Sequence, residues 1–196
     1  MEIPGEIIEA ARSREDGAAE RLVALAWPQA FAIAYSIVRD RGLAEDAAQE
    51  SCATVYRKVS QLRHAAAFKV WFYRTVIRQA AKLERKATLA HLFSPIETAR
   101  DDIENSATRI DVLRALAKLP RKQRAAIVLS YYGGMNSREI AEVLQIADSS
   151  VRFLIMQGRD ALERLLSDPR SNHHVSGGSP CRLTWVRRCA ARSTSR

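Results

Sequence analysis

Apolar residues recur at spacings of three and four through most of the first 86 residues, and this repeat restricts the segment to amphipathic helices. The repeat runs through residues 7–11, 22–26 and 31–38, and the polar run Asp40-Arg41-Gly42 then interrupts it. A second helix is predicted over residues 44–59 and a third over residues 66–86. We therefore expect a small all-α domain over residues 6–86.

A second helical domain is predicted over residues 109–166. Pro120 suits the start of a helix that Gly133-Gly134 closes. Two further helices, at residues 137–144 and 149–154, are separated by four residues, a spacing typical of a DNA-binding helix-turn-helix. Many short helical hairpins share this spacing and bind nothing. The predicted fold class is all-α, with two small helical domains joined by a flexible linker.

Two segments outside these domains have a different character. Residues 87–108 contain Ser94-Pro95 and are acidic, and we interpret them as the linker. Residues 167–196 form a basic tail that we expect to be disordered. The histidines and cysteines of the tail fit no standard zinc spacing, so no metal site is predicted.

Charge is distributed unevenly along the chain. Residues 1–50 carry 5 basic and 10 acidic side chains, whereas residues 57–86 carry 9 basic and 1 acidic. Aromatic rings alternate with these cations at residues 68–74. Cations track phosphates and rings stack on unpaired bases, so this segment favours a single nucleic-acid strand. A solvated basic face is the more common meaning of such a run, and the interleaved aromatics weigh against it here.

The sequence gives little support for an enzyme, a membrane protein or a secreted protein. No carboxylate pair, activated nucleophile or glycine-rich phosphate loop stands where a catalytic site is plausible, so neither an enzyme nor a cofactor is expected. No apolar run approaches 18 residues, and the acidic N-terminus lacks a secretory signal. The three cysteines form no disulfide framework. These features predict a cytoplasmic protein.

Four motifs, in order, resemble those of bacterial RNA polymerase sigma factors of the extracytoplasmic-function (ECF) type, a subfamily of the sigma-70 family. The segment AEDAAQE at residues 44–50 is similar to AED-xx-QE of region 2, and FKVWFYR at residues 68–74 is similar to F-R-T-W-L-Y-R. LPRKQR at residues 119–124 resembles the L-P-x-x-x-R entry to region 4, and GMNSREIA at residues 134–141 resembles G-L-S-x-x-E-I-A. The resemblance covers about residues 6–166.

This resemblance implies a sigma factor that directs core RNA polymerase to promoters, rather than an enzyme. Its implied partners are the clamp helices of the largest polymerase subunit, the flap of the second-largest subunit, promoter DNA and an anti-sigma factor, with no membrane. The implied polymerase-binding residues are Asp46, Gln49 and Glu50. Those for the −10 element are Arg63, His64, Lys69, Phe72, Arg74, Arg78 and Lys82. Those for the −35 element are Arg138, Ser149, Ser150, Arg152, Phe153, Met156, Gln157 and Arg159.

The recognition helix departs from the family pattern V-K-S-R-L-x-R-A, because only Arg152 remains of its basic trio. Phe153 and Met156 suit thymine methyl groups and Gln157 suits adenine. Phe153 and Leu154 equally suit a hydrophobic patch for a protein partner such as an anti-sigma factor. Gly158 weakens the helix by about 1 kcal/mol relative to alanine.

Three further alternatives stay open at the level of sequence. Trp71 and Tyr73 suit either the core or a DNA contact. Arg78 stands where the family often has Asn. A stand-alone helix-turn-helix regulator remains the second functional hypothesis; it needs neither the acidic face nor the aromatic-basic helix.

Overall fold

A computed structural model describes residues 3–93 and 107–167, and every regular element in these two segments is helical. The predicted all-α class is confirmed. Residues 168–196 of the predicted tail and residues 94–106 of the predicted linker lie outside the described residues. The helices are α1 (Gly5–Arg12), α2 (Ala18–Val38), α3 (Arg41–Lys58), α4 (Phe68–Phe93), α5 (Ala107–Lys118), α6 (Arg121–Tyr131), α7 (Ser137–Leu144) and α8 (Asp148–Ser167). Two short 3₁₀ turns, Val59–Gln61 and Ala65–Ala67, connect α3 to α4.

The first bundle is built on α2, α3 and α4, which pack against one another, with α1 against α2. Its core is formed by fully buried apolar side chains from all three helices, among them Leu22, Ile33, Ile37, Val55, Phe72 and Val76. The polar run at residue 40 separates α2 from α3 for a local reason. Arg39 adopts a left-handed conformation (φ 61°) that ends α2, and Asp40 Oδ1 accepts a hydrogen bond from Leu43 N at 2.8 Å to cap α3.

Helix α2 is long and apolar enough to cross a membrane by length and composition, and it is the one such helix in the part of the chain that the structure describes. Its buried residues include Leu22, Ala26, Ile33 and Ile37, and the helix packs against both α3 and α4. The place of α2 at the centre of the first bundle accounts for its apolar composition.

The second bundle comprises α5 to α8, with α6 packed against α7 and α8. A capping box starts α7: Asn136 Oδ1 accepts from Glu139 N at 3.0 Å, and Asn136 N donates to Glu139 Oε2 at 2.8 Å. The turn before it needs glycine at both positions. A Cβ at Gly133 would lie 2.7 Å from Leu129 O, and Gly134 has φ +58°.

Gly158 lies inside α8, where the helix crosses α6. A Cβ at this position would lie 2.9 Å from Ile127 Cγ1 and 3.2 Å from Ile127 Cδ1. The glycine that the sequence identifies as a weak point in the helix therefore permits the close approach of two helices.

Helix boundaries differ from the predicted ones mainly at the linker. Helix α4 begins at Phe68 and continues to Phe93, so the first seven residues assigned to the linker are helical. Helix α3 begins three residues earlier than predicted, at Arg41, because Asp40 caps it.

Candidate nucleic-acid and protein interfaces

Helix α3 presents an acidic and amide face to solvent. Asp46, Gln49 and Glu50 are all exposed and lie within one turn of one another. The opposite face carries Ala47 and Ser51, which are buried; Ser51 Oγ donates to Ala47 O at 2.6 Å. The three side chains predicted to bind polymerase thus share one solvent-facing side of a helix whose other side is fixed in the core.

The aromatic residues at the start of α4 form a packed cluster rather than an exposed platform. Phe68 stacks on Phe72 with ring centroids 5.5 Å apart, and Tyr73 lies against Phe72 at 5.3 Å. Tyr73 is buried, its hydroxyl donates to Gln29 Oε1 at 3.0 Å, and burial raises the pKa of Tyr73 to about 12. Of the two alternatives for Tyr73, the core position is the observed one. Trp71 is only half-buried.

Phe72 requires a correction. The sequence assigns it to the −10 contact, but its side chain is only 1% exposed. The physical reason is helical spacing: Phe68, Phe72 and Val76 recur every four residues and all point into the first bundle. Phe72 is a core residue in this arrangement.

The other residues predicted for the −10 element are exposed or half-buried. Arg63 and His64 are exposed in the turn before α4, and Arg78 and Lys82 are exposed on α4. Lys69 and Arg74 are half-buried on the same helix.

Arg12 braces the turn before α4, a role that no sequence motif indicated. Its guanidinium donates to Leu62 O at 2.9 Å and to Arg63 O at 2.8 Å. Glu9 holds that guanidinium in turn, at 2.5 Å. Helix α1 thereby fixes the backbone that carries Arg63.

Three of the α4 cations contact the second bundle. Lys69 Nζ donates to Gly134 O at 2.8 Å and lies 3.6 Å from Glu139 Oε1. The remaining two pairs are Arg74 Nη2 with Glu142 O at 2.8 Å and Arg78 Nη2 with Gln145 Oε1 at 3.2 Å. The basic face of α4 is therefore apposed to α7 and to the turn before it.

A second set of contacts joins the bundles near the end of α4. Arg121 Nη1 lies 3.2 Å from Glu84 Oε2. Arg39 donates to Leu113 O and places its guanidinium 5.7 Å from the centre of the Tyr35 ring. Arg124 is buried nearby, and burial lowers its pKa although the charge of Glu84 opposes that shift. Sequence motifs alone signalled none of these pairings.

The second helix of the helix-turn-helix, α8, has a largely open N-terminal half. Phe153 and Met156 are 53% and 51% exposed and lie one turn apart. The other exposed residues predicted for this face are Arg138 on α7 and Ser149, Ser150, Arg152 and Arg159 on α8.

Two side chains on α8 already have partners. Arg152 Nη2 pairs with Asp148 Oδ2 at 2.6 Å. Gln157 is half-buried, and its Oε1 accepts from Gln123 Nε2 at 3.1 Å. Bidentate pairing with adenine uses both ends of the Gln157 amide, and its Oε1 already accepts one hydrogen bond from Gln123.

Comparison with known proteins identifies the two bundles. The family model for Sigma-70 region 2 matches residues 22–89, and that for Sigma-70, region 4 matches residues 109–162. The chain is 32% identical over 126 residues to the ECF RNA polymerase sigma factor SigM of Mycobacterium tuberculosis, covering 63% of this chain and 64% of SigM. The match thus spans less than two thirds of that relative. The ECF RNA polymerase sigma factor SigW of Bacillus subtilis is 25% identical, with 70% of this chain and 83% of SigW covered.

Solved structures share the fold. The sigma factor RpoE of Bartonella quintana, in complex with the anti-sigma factor NepR, matches 79% of this chain and 99% of its own length with a TM-score of 0.65 and 21% identity. CnrH in complex with the cytosolic domain of CnrY matches 83% of this chain and 96% of its own length with a TM-score of 0.62 and 22% identity. At such identities the likeness extends to the fold alone. The two family models together cover most of both bundles, and the chain belongs to the sigma-70 family as an ECF sigma factor with regions 2 and 4.

Proposed function

We propose that this protein binds core RNA polymerase and directs promoter-specific transcription initiation, with region 2 acting at the −10 element and region 4 at the −35 element. The observation that carries the proposal is the pair of separate exposed faces, the acidic side of α3 in region 2 and the open side of α8 in region 4. A stand-alone DNA-binding regulator needs only the second. The protein acts in the cytoplasm and catalyses no reaction of its own.

Docking on polymerase uses Asp46, Gln49 and Glu50. Carboxylates with an amide between them suit a basic partner surface, and the α3 backbone beneath them is held by the buried opposite face. The proposed acceptor is the clamp-helix pair of the largest subunit. Region 4 is proposed to contact the flap of the second-largest subunit.

Recognition of the −10 element uses cations around α4, and Phe72 is left out of that set because it is buried. The proposed phosphate contacts are Arg63, His64, Lys69, Arg74, Arg78 and Lys82. Half-buried Trp71 is the most accessible ring of the α4 aromatic cluster and is the proposed stacking surface for an unpaired base.

Recognition of the −35 element uses the exposed face of α8 together with Arg138. Arg152 and Arg159 supply positive charge on either side of Phe153 and Met156. The major groove offers one apolar group at base edges, the thymine methyl, so this pair is proposed to read thymine. Ser149, Ser150 and Gln157 complete the proposed contact set. An anti-sigma factor is a further proposed partner, by analogy with the solved complexes.

The test is binding of the full chain to bacterial core RNA polymerase. Reversal of charge in Asp46→Lys/Glu50→Lys should abolish binding while the circular dichroism spectrum stays helical. The matched control is Glu15→Lys/Asp16→Lys, which changes net charge equally at two exposed carboxylates in the turn between α1 and α2. No binding by the folded wild-type chain would favour the stand-alone regulator. Equal loss in both variants would show that net charge, not the α3 face, is responsible.

A further inference from the structure

Three of the side chains proposed for the −10 strand already contact region 4 within the chain. Lys69, Arg74 and Arg78 project from α4 onto the turn before α7 and onto its C-terminal end, with the distances given above. We propose that in the free protein region 4 occupies the −10-strand site of region 2, so that closure of the two regions and binding of the −10 strand exclude each other. This inference rests on the proposed role of α4 at the −10 element. We call the contacts of Lys69, Arg74 and Arg78 with region 4 the clasp.

The acceptors in the clasp resemble a phosphate backbone in their chemistry. Two are main-chain carbonyl oxygens, of Gly134 and Glu142, and two are side-chain oxygens, of Glu139 and Gln145. Glu142 O is among the last four carbonyls of α7, which lack partners within the helix and lie at the negative end of its dipole. A row of oxygen acceptors that carries partial and full negative charge suits the same guanidinium and ammonium groups that bind phosphates.

The spacing of the cations supports a single extended contact. Arg74 and Arg78 are one helical turn apart on α4, and their acceptors lie three residues apart at the end of α7. Lys69 reaches the beginning of the same helix through Glu139. The clasp therefore follows α7 from its first turn to its C-cap, and it depends on Arg78, the residue that replaces the Asn common in relatives.

The clasp does not cover the other two proposed interfaces. Asp46, Gln49 and Glu50 stay exposed on α3, and Phe153 and Met156 stay exposed on α8. Closure therefore masks Lys69, Arg74 and Arg78, whereas Arg63, His64 and Lys82 stay exposed. Docking on polymerase and contact with duplex DNA at the −35 element are available to the closed chain, whereas capture of the −10 strand requires the clasp to open.

The strength of such a switch follows from the exposure of its parts. The Lys69 and Glu139 side chains are 36% and 28% exposed, so salt screens their pair and each contact changes an equilibrium constant by only about two- to tenfold. Several contacts act together, and the apparent affinity for a −10 strand falls by the fraction of molecules that are open. Loss of the α7 acceptors should restore that affinity without altering any α4 cation.

The variant Glu139→Gln/Gln145→Ala tests the clasp from the side of α7. Glutamine at position 139 keeps the capping-box geometry and removes the charge that faces Lys69. The matched control is Glu142→Gln, which removes one exposed carboxylate from the same helix. This change leaves the clasp intact, because Arg74 contacts only the main-chain oxygen of residue 142. Both variants lose one negative charge, so a general gain in affinity for DNA appears in both.

Two readouts are taken on the full chain. The first is the rate of acetylation of Lys69 relative to Lys82 by acetic anhydride, followed by mass spectrometry; Lys82 is exposed on the same helix and serves as the internal reference. The second is affinity for a fluorescent single-stranded DNA of mixed sequence and about 12 nucleotides, within the usual site size. The first readout needs neither polymerase nor DNA, so it reports on the clasp even if the proposed function is wrong.

In the wild-type chain and in Glu142→Gln, we expect Lys69 to react several-fold more slowly than Lys82. In the clasp variant, Lys69 keeps its bond to Gly134 O but loses the charge of Glu139, so its reactivity relative to Lys82 should rise clearly above the wild-type ratio. The affinity for the single strand should rise about three- to tenfold. Equal reactivity of Lys69 and Lys82 in the wild-type chain would overturn the clasp. A rise in acetylation with no rise in strand affinity, or an equal rise in strand affinity for Glu142→Gln, would overturn the claim that the clasp masks a DNA site.

Discussion

Substitution of Gly158 by alanine sets two effects of known size against each other. Alanine gains up to about 1 kcal/mol in helix propensity over glycine at an interior position of α8. Its Cβ would lie 2.9 Å from Ile127 Cγ1, whereas carbon atoms in good contact are about 3.5–4.0 Å apart. Ile127 is 2% exposed and cannot move into solvent, so overpacking should cost about 1–3 kcal/mol. We expect Gly158→Ala to destabilise region 4 by about 1 kcal/mol.

The assay is hydrogen exchange of backbone amides in α6 and α8, because exchange reports on region 4 separately from region 2. The double variant Gly158→Ala/Ile127→Ala removes the clashing atoms, so the two substitutions should couple favourably by about 1–2 kcal/mol in a double-mutant cycle. Stabilisation by the single Gly158→Ala change would refute the reasoning, since it would mean that the helices separate at no cost. If the changes in free energy of unfolding of the two single variants simply add up in the double variant, then the Ile127 side chain is not what clashes with the new methyl group.

Three further predictions concern single side chains. Arg152→Ala should weaken binding of the −35 duplex by about 1–3 kcal/mol in a fluorescence titration and leave polymerase binding intact; unchanged duplex binding would remove α8 from the role of recognition helix. Replacing the contacted thymines by uracil in a duplex selected by the holoenzyme should cost about fourfold per methyl in the wild type and almost nothing in Phe153→Ala. Equal sensitivity of both proteins would instead point to Phe153 as part of a protein interface. Burial raises the pKa of Cys52 to about 11, so the folded chain should resist alkylation of this thiol at pH 8, and mass spectrometry should detect rapid modification only in denaturant.

The pKa of Cys52 also fixes the sign of a pH effect on stability. Its folded pKa lies above the ordinary value of 9.0, so the buried neutral thiol contributes stability that is fully present below pH 9. That contribution is lost as pH rises from about 9 to about 11, because the unfolded chain ionises first. A Cys52→Ala variant should therefore show a smaller fall in the free energy of unfolding across this range.

Helical periodicity predicted the buried sides of the first bundle well. In α3, Ala47, Ser51 and Val55 recur every four residues, and all three are buried. Period suffices there because one side of the helix is apolar and the other is charged. The family resemblance implied that Phe72 contacts DNA, but Phe72 lies four residues from both Phe68 and Val76 and is buried with them, so helical spacing was the better guide.

The contacts between regions 2 and 4 lay beyond sequence-based prediction. The clasp joins residues 65 to 70 positions apart, and half of its acceptors are main-chain oxygens that every residue possesses. Gly158 is a second case in which the sequence alone is insufficient. The low helix propensity of Gly158 can be read from the sequence. The reason that glycine is needed there cannot, because the side chain that a Cβ would meet is Ile127 in another helix.

The continuity of α4 also determines how far the two regions can move apart. This helix has 26 residues and is about 39 Å long, and the covalent connection to region 4 leaves from its end at Phe93. Residues 94–106 separate that end from Ala107, and a chain of this length reaches at most about 48 Å. Measured along DNA, that reach corresponds to about 14 base pairs at 3.4 Å each. The length of residues 94–106 therefore limits the distance between the two regions. Shortening this connection should narrow the range of promoter spacings that one molecule can bridge, with both proposed recognition surfaces unchanged.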